Sequence, residues 1–266
     1  MRIYTLGTGH GDSTFCRFNS STAYETADGT VYLVDCGAPA EALLRRKGLA
    51  LPRLRAAFIT HMHDDHAGGL SALLKQIIKP YNYCKETFTL HLPEEAAIEP
   101  LKAWMRAVHE DADSPLLCYK SYGAGKVYED DNLTVTAIST CHLRTRGRTE
   151  GDPCSYALIL DFKKEGKRIL HTGDLRADFS DYPAIAKEER FDLCLCESTH
   201  YQPEAAVDAL RASKFDRLIF IHVADRWHNV PGFQWQYTRG EEKFLSALAP
   251  LPYPAVIAHD GDEFLL

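Results

Sequence analysis

Thr60-His61-Met62-His63-Asp64-Asp65-His66 places three histidines and two aspartates within six consecutive positions, His61 to His66. An apolar stretch that reads as a strand, Ala56–Thr60, runs into it. Gly68-Gly69 and an amphipathic helix over Ala67–Lys79 follow it. A strand end feeding a tight loop points several side chains into one space. In an extended loop His61 and His63 share a side and can bind one ion. Asp65 and His66, past the bend, can bind a second. Imidazole and carboxylate donors together suit zinc, manganese or iron. Two such ions, roughly 3.5–4 Å apart, can hold a hydroxide between them and polarise a substrate oxygen.

Two ions need ligands from elsewhere, and the chain offers them at other strand ends. His142 follows the strand Leu133–Ser139. Asp174 follows Lys167–His171, and His222 ends Leu218–His222. Further strands are predicted at Arg2–Leu6, Ser13–Phe18, Val31–Val34, Tyr156–Phe162, Leu193–Glu197 and Ala255–Ala258. Helices are predicted at Ala40–Lys47, Pro93–Glu110, Pro203–Ser213 and Gly240–Ala249. Two β-rich halves, each covered by helices, suggest an α/β chain in which two sheets pack face to face between helical layers.

This ordered set resembles the metallo-β-lactamase fold superfamily over nearly the whole chain. Asp35, in Val34-Asp35-Cys36-Gly37, matches its first motif, an aspartate behind the metal ligands. His61, His63, Asp65 and His66 match the second motif, His142 the third and Asp174 the fourth. The resemblance implies a four-layer αββα sandwich as one domain over residues 1–266. It implies His61, His63 and His142 on one metal ion, Asp65, His66 and a last histidine on another, and Asp174 bridging. The expected cofactors are two divalent ions: zinc, with manganese or iron as alternatives.

Two histidines compete for the last position. His259 lies in Ala258-His259-Asp260-Gly261, as in lactonase-like members. His222 ends an apolar strand and is followed by Arg226-Trp227, which resembles the phosphodiesterase branch, including the tRNA 3′-end processing nuclease and small cyclic phosphodiesterases. The expectation here is His222, with Arg226 as a substrate contact. His200 precedes a helix and the strand ending at His222 (222 − 200 = 22). The same branch has a proton-donating histidine before a similar helix and strand, and imidazole chemistry suits the task. The alternative reading is that His200 caps a helix or faces solvent. Arg144, Arg146 and Arg148 follow His142 closely, as an anion contact or a solvated loop. The turn Gly7-Thr8-Gly9-His10-Gly11 is weak grounds for a phosphate cradle, because no strand-to-helix transition follows it.

Composition narrows the partners. The 266 residues carry a net charge of −7 and are 45% apolar, enough for a sizeable core. An acidic chain repels nucleic acid at long range. No apolar run reaches the length of a membrane span, and Arg2, Asp12 and Arg17 interrupt the N-terminus too early for a secretion signal, so the cytoplasm is expected. None of the eight cysteines forms a Cys-x-x-Cys pair, which points to buried thiols.

The function expected is hydrolysis of a small or cyclic phosphodiester, with Asp65 orienting the nucleophile and His200 as general acid. Cleavage of a carbon ester, thioester or amide is the alternative, favoured if His259 is the ligand. Processing of structured RNA ranks below both. Such relatives carry a long arm between the third and fourth motifs, whereas 174 − 142 = 32 residues here are used up by two strands. The substrate is expected to be a small molecule; homo-oligomerisation stays open.

Overall fold

The computed structural model describes residues 1–11, 17–143, 154–224 and 240–266. Alternation of apolar residues organises everything in it. In a strand, successive side chains point to opposite faces, so a strand buried on both sides feeds two separate cores. Strand β1 spans Arg2–Gly7, β2 Ser21–Glu25, β3 Val31–Val34, β4 Leu54–Phe58, β5 Phe88–Leu92 and β6 Leu117–Ser121. With β16 (Asp262–Leu265) they form one sheet, ordered β16-β1-β2-β3-β4-β5-β6 among the described residues. The second sheet uses β7 (Gly125–Glu129), β8 (Leu133–Ser139), β9 (Tyr156–Phe162), β10 (Lys167–His171), β12 (Leu193–Glu197), β14 (Leu218–Ile221) and β15 (Ala255–Ile257). Its order is β15-β14-β12-β10-β9-β8-β7, and the short strands β11 (Arg190–Phe191) and β13 (Lys214–Phe215) pair apart from it.

Tyr32 and Val34 of β3, Ala56 and Phe58 of β4, Leu193 and Leu195 of β12, and Ile219 and Ile221 of β14 meet in the core between the sheets. The intervening residues face outward. Leu33 and Ala57 pack under α1 (Ala40–Arg46), α3 (Leu70–Ile78) and α4 (Ile98–Ala107), through Leu43, Leu73 and Met105. Cys194, Cys196, Leu218 and Phe220 pack under α5 (Ile185–Glu188), α6 (Pro203–Ala212) and α7 (Gly240–Leu248), through Ala186, Leu210 and Leu248. The layers are therefore α, β, β, α, as expected. Cys194 and Cys196 are fully buried thiols in one outer core, as expected.

Strands β3, β8, β9, β10 and β12 have the bounds expected from the sequence. The strand expected at Ser13–Phe18 lies mostly outside the described residues, and β2 at Ser21–Glu25 pairs with β1. Two expectations are corrected. The helix expected over Ala67–Lys79 divides into α2 (Asp64–Ala67) and α3, because Gly68-Gly69 turns the chain between them. The one expected over Pro93–Glu110 narrows to α4, preceded by a single 3₁₀ turn at Glu95–Ala97. Among the described residues no helix is long and apolar enough to cross a membrane.

Candidate metal centre

The centre lies where β4, β8, β10 and β14 end together at one edge of the sandwich. Strand β4 ends at Phe58, and the chain bends at Thr60, whose carbonyl oxygen accepts from Tyr156 N at 3.1 Å. That bond joins the two sheets beside the first ligand candidates. His61 and His63 follow, and α2 carries Asp65 and His66. The turn at Asp35–Gly37 seats this loop: Cys36 N donates to His66 O at 2.7 Å, and Gly69 N to Cys36 O at 2.8 Å. A Cβ on Gly37 would stand 2.2 Å from Asp65 O, so the two backbones meet only through glycine.

Asp35 occupies the left-handed region at φ 59°, an uncommon place for a residue with a side chain. Its buried carboxylate accepts from Thr60 N at 2.8 Å, Thr60 Oγ1 at 3.0 Å and His66 Nδ1 at 2.8 Å. His222 is the second left-handed residue of the site, at φ 54°. Such conformations cluster where surrounding contacts over-determine them.

The donors fall into two groups, each with its ligand atoms within 4.8 Å of one another: His61, His63, His142 and Asp174; and Asp65, His66 and His222. In the first, His61 Nε2 lies 2.9 Å from His63 Nδ1 and 3.5 Å from Asp174 Oδ2. His142 Nε2 lies 3.4 Å from His63 Nδ1. In the second, His66 Nε2 is 3.4 Å from Asp65 Oδ2, and His222 Nε2 is 3.8 Å from the same oxygen. Asp174 joins both groups, with Oδ1 3.4 Å from His66 Nε2 and Oδ2 3.4 Å from His222 Nε2. Ligands about 2.1 Å from a tetrahedral zinc ion stand about 3.4 Å apart. Those spacings fit donors converging on ions better than donors bonded to one another.

The opposite ring nitrogens are held from behind. Thr60 Oγ1 is 3.2 Å from His61 Nδ1, Leu175 O is 3.3 Å from His142 Nδ1, and Ser20 Oγ is 2.7 Å from His222 Nδ1. With Asp35 on His66, these contacts leave Nε2 of four histidines facing the centre, joined by Nδ1 of His63. His66 Nε2 and Asp174 Oδ1 are buried without a hydrogen-bond partner. Orphaned polar atoms of this kind are rare in folded chains, and a cation between them satisfies both.

Electrostatics agrees. Burial pushes the Asp174 carboxyl up, but His222, His66, His200 and His61 around it hold it well below the usual carboxylate range. Burial also opposes ionisation of Asp65, and His66 and His222 reverse that. Burial, reinforced by its imidazole neighbours, keeps His61 neutral, the form that offers a lone pair.

His200 sits at the rim, its side chain 28% exposed, stacked over His222 at 5.3 Å and beside His142 at 4.5 Å between ring centroids. It faces the site rather than capping α6. Its Nδ1 is 3.1 Å from Glu197 Oε1 and 3.7 Å from Asp174 Oδ2. Burial lowers its pKa, but the Glu197 and Asp174 carboxylates outweigh that and raise it to about 9. Asp174, His200 and His222 also form a donor group of their own. Glu197 went unassigned in the sequence, although it precedes His200 by three positions at a strand end. Its carboxylate also accepts from the backbone of Leu175, Thr199 and His200, tying β12 to the loop that carries Asp174.

His259 does not join the cluster. Its side chain is 58% exposed, and Nε2 pairs with Glu241 at 2.9 Å. Arg226, Arg144, Arg146 and Arg148 lie outside the described residues.

A family model for Anti-Pycsar protein Apyc1 matches residues 1–209 of the 266. The chain belongs to that family. Apyc1 of Paenibacillus harenae is 36% identical over 102 residues, 38% of this chain and 39% of that protein. Ribonuclease Z of Parasynechococcus marenigrum (strain WH8102) is 30% identical over 151 residues, 53% of this chain and 46% of that protein. The chain thus spans less than half the length of either curated relative. Human tRNase Z, short form, superposes with a TM-score of 0.70 at 19% identity, covering 100% of this chain and 99% of that one. The fold is the metallo-β-lactamase fold, and its His/Asp cluster suits metal binding.

Proposed function

We propose that this Apyc1-family chain hydrolyses a small or cyclic phosphodiester at a dinuclear centre. His61, His63 and His142 would hold one divalent ion, Asp65, His66 and His222 the other, and Asp174 would lie between them. Zinc fits this donor set best, with manganese or iron as substitutes. Bound ions supply Lewis acidity and a water of lowered pKa.

The observation that carries the phosphodiester reading is His200. A phosphodiester with an alkoxide leaving group needs a proton delivered as the P–O bond breaks. His200 offers one from Nε2 while Glu197 fixes Nδ1. The nearby carboxylates keep the ring protonated at neutral pH. Cations bound beside Asp174 would pull its pKa back towards neutrality, where a donor both holds and releases a proton. Asp65, held ionised by His66 and His222, would orient the attacking oxygen. The relative named ribonuclease Z is, by its name, an enzyme of phosphodiester bonds. The exposed pairing of His259 weighs against the ester-cleaving alternative, and the net charge of −7 against an RNA substrate.

The test is a hydrolysis screen with zinc, manganese or iron, using bis(p-nitrophenyl) phosphate, an alkyl phosphodiester, a lactone and a thioester. Cleavage of the lactone but neither phosphodiester would overturn the proposal. The His200→Ala variant should lose about 10²–10⁴-fold on the alkyl ester and much less on p-nitrophenyl, whose leaving group departs unprotonated. Equal losses on both would remove the acid role.

A further inference from the structure

The Gly7-Thr8-Gly9 segment, which continues from the end of β1, and Ser20 meet His222 from behind. We propose that Ser20 is a positioning residue: its hydroxyl locks the His222 ring with Nε2 facing Asp65 and Asp174, and so sets the affinity of the second ion. This rests on the reading of His222 as a ligand.

A serine hydroxyl has one hydrogen to give. Ser20 Oγ lies 3.1 Å from the Gly9 carbonyl oxygen, which can only accept. With its hydrogen spent there, Oγ meets His222 Nδ1 at 2.7 Å as an acceptor, so Nδ1 carries the ring hydrogen. Nε2 is then left as a lone pair facing the carboxylates. Both residues are buried, at 4% and 2% exposure, so water does not compete.

The surrounding backbone holds both partners still. Gly9 N donates to Phe18 O at 2.7 Å, and Val223 N, next to His222, donates to Thr8 O at 2.7 Å. Thr199 Oγ1 donates to His222 O. The left-handed backbone of His222 is thus pinned on both sides, while Ser20 fixes the ring. Gly7 makes the approach feasible, since a Cβ there would stand 2.0 Å from Asn19 O. The glycines read in the sequence as a weak phosphate cradle act instead as a bracket that delivers the Gly9 carbonyl to Ser20.

The test uses the full chain as Ser20→Ala and Ser20→Thr, with zinc as the probe. In metal-free protein labelled with ¹⁵N-histidine, the wild-type His222 resonances should report the Nδ1–H tautomer. Ser20→Ala should shift them, and Ser20→Thr, which keeps the hydroxyl, should restore them. In chelator competition, Ser20→Ala should weaken the second zinc about 10–100-fold and leave the first unchanged, with rescue in Ser20→Thr. Unchanged resonances in Ser20→Ala, or an equal loss at both zinc ions, would overturn the proposal. The metal-free spectrum stands apart from the metal count. If His222→Ala keeps both zinc ions, the ligand reading fails while the tautomer result still judges Ser20.

Discussion

Replacing Asp35 with asparagine tests whether the centre depends on the tautomer of His66. The backbone at φ 59° is not disturbed, because asparagine tolerates the left-handed region. The amide has one oxygen where the carboxylate has two, and two positions compete for it. Thr60 N, 2.8 Å away, is a backbone donor that cannot change role. His66 Nδ1, 2.8 Å from the other oxygen, can. The amide oxygen therefore stays on Thr60 and the NH₂ turns to His66. Facing a donor, the ring moves its hydrogen to Nε2, the atom 3.4 Å from both Asp65 Oδ2 and Asp174 Oδ1. A hydrogen on Nε2 removes the lone pair a metal needs. Losing a charged hydrogen bond costs about 1.5–3 kcal/mol. Losing an orienting partner costs about 10–100-fold in metal affinity, or about 1.4–2.7 kcal/mol, so the two routes agree. Zinc titration against a chelator, with elemental analysis after dialysis, should show the second ion weakened by that factor and the first retained. Two zinc ions bound to the variant at wild-type affinity would refute the reasoning.

Of the two histidines competing for the last position, His222→Ala should deplete one of two zinc ions on dialysis, whereas His259→Ala should keep both; the reverse result would reinstate the ester-cleaving reading. A pH effect on stability follows from His91, which is 1% exposed, stacks on Phe58 at 4.9 Å and has Nε2 buried without a partner. Burial, helped by Lys120, lowers its pKa to about 4, so the unfolded chain takes up the proton first as pH falls. This contribution is complete above about pH 6.5 and is lost down to about pH 4, amounting to about 3 kcal/mol. Urea titrations across that window should show the loss, and His91→Phe should reduce it, with His171, which burial also lowers to about 4, still contributing; an equally steep profile in the variant would exclude His91 as a cause.

The fold was legible where strands are buried on both sides. Strands β3, β9 and β12 carry nearly unbroken apolar runs, β8 alternates apolar residues with threonine, and helices α1, α6 and α7 carry the matching stripes. Among the edge strands only β15, expected at Ala255–Ala258, was legible. β6, β7 and β16 are half-exposed and mix polar with apolar residues, so their identity comes from the neighbour they pair with. β2 was hidden differently. Its Ser21 and Thr22 are buried polar residues close to the metal centre, where a core strand would ordinarily show apolar ones.

The candidate ligands and the residues that aim them differ in the same way. Histidine and aspartate at the ends of apolar strands announce themselves, because few other roles put those side chains there repeatedly. Ser20, Thr60, Glu197 and the Leu175 carbonyl are ordinary groups, and nothing local marks them. Ser20 meets His222 across 202 positions, and Leu175 O meets His142 across 33. The first contact exists only after the two sheets have closed on each other, the second only after β8 and β10 have joined one sheet. Yet an imidazole can bind a metal through either nitrogen, and a free ring divides its hydrogen between them. The string His61–His66 therefore specifies which atoms are available, and the fold specifies which lone pairs face inward. If so, substitutions at the aiming residues should lower metal affinity ion by ion, each at the centre its own histidine serves, without removing a single ligand.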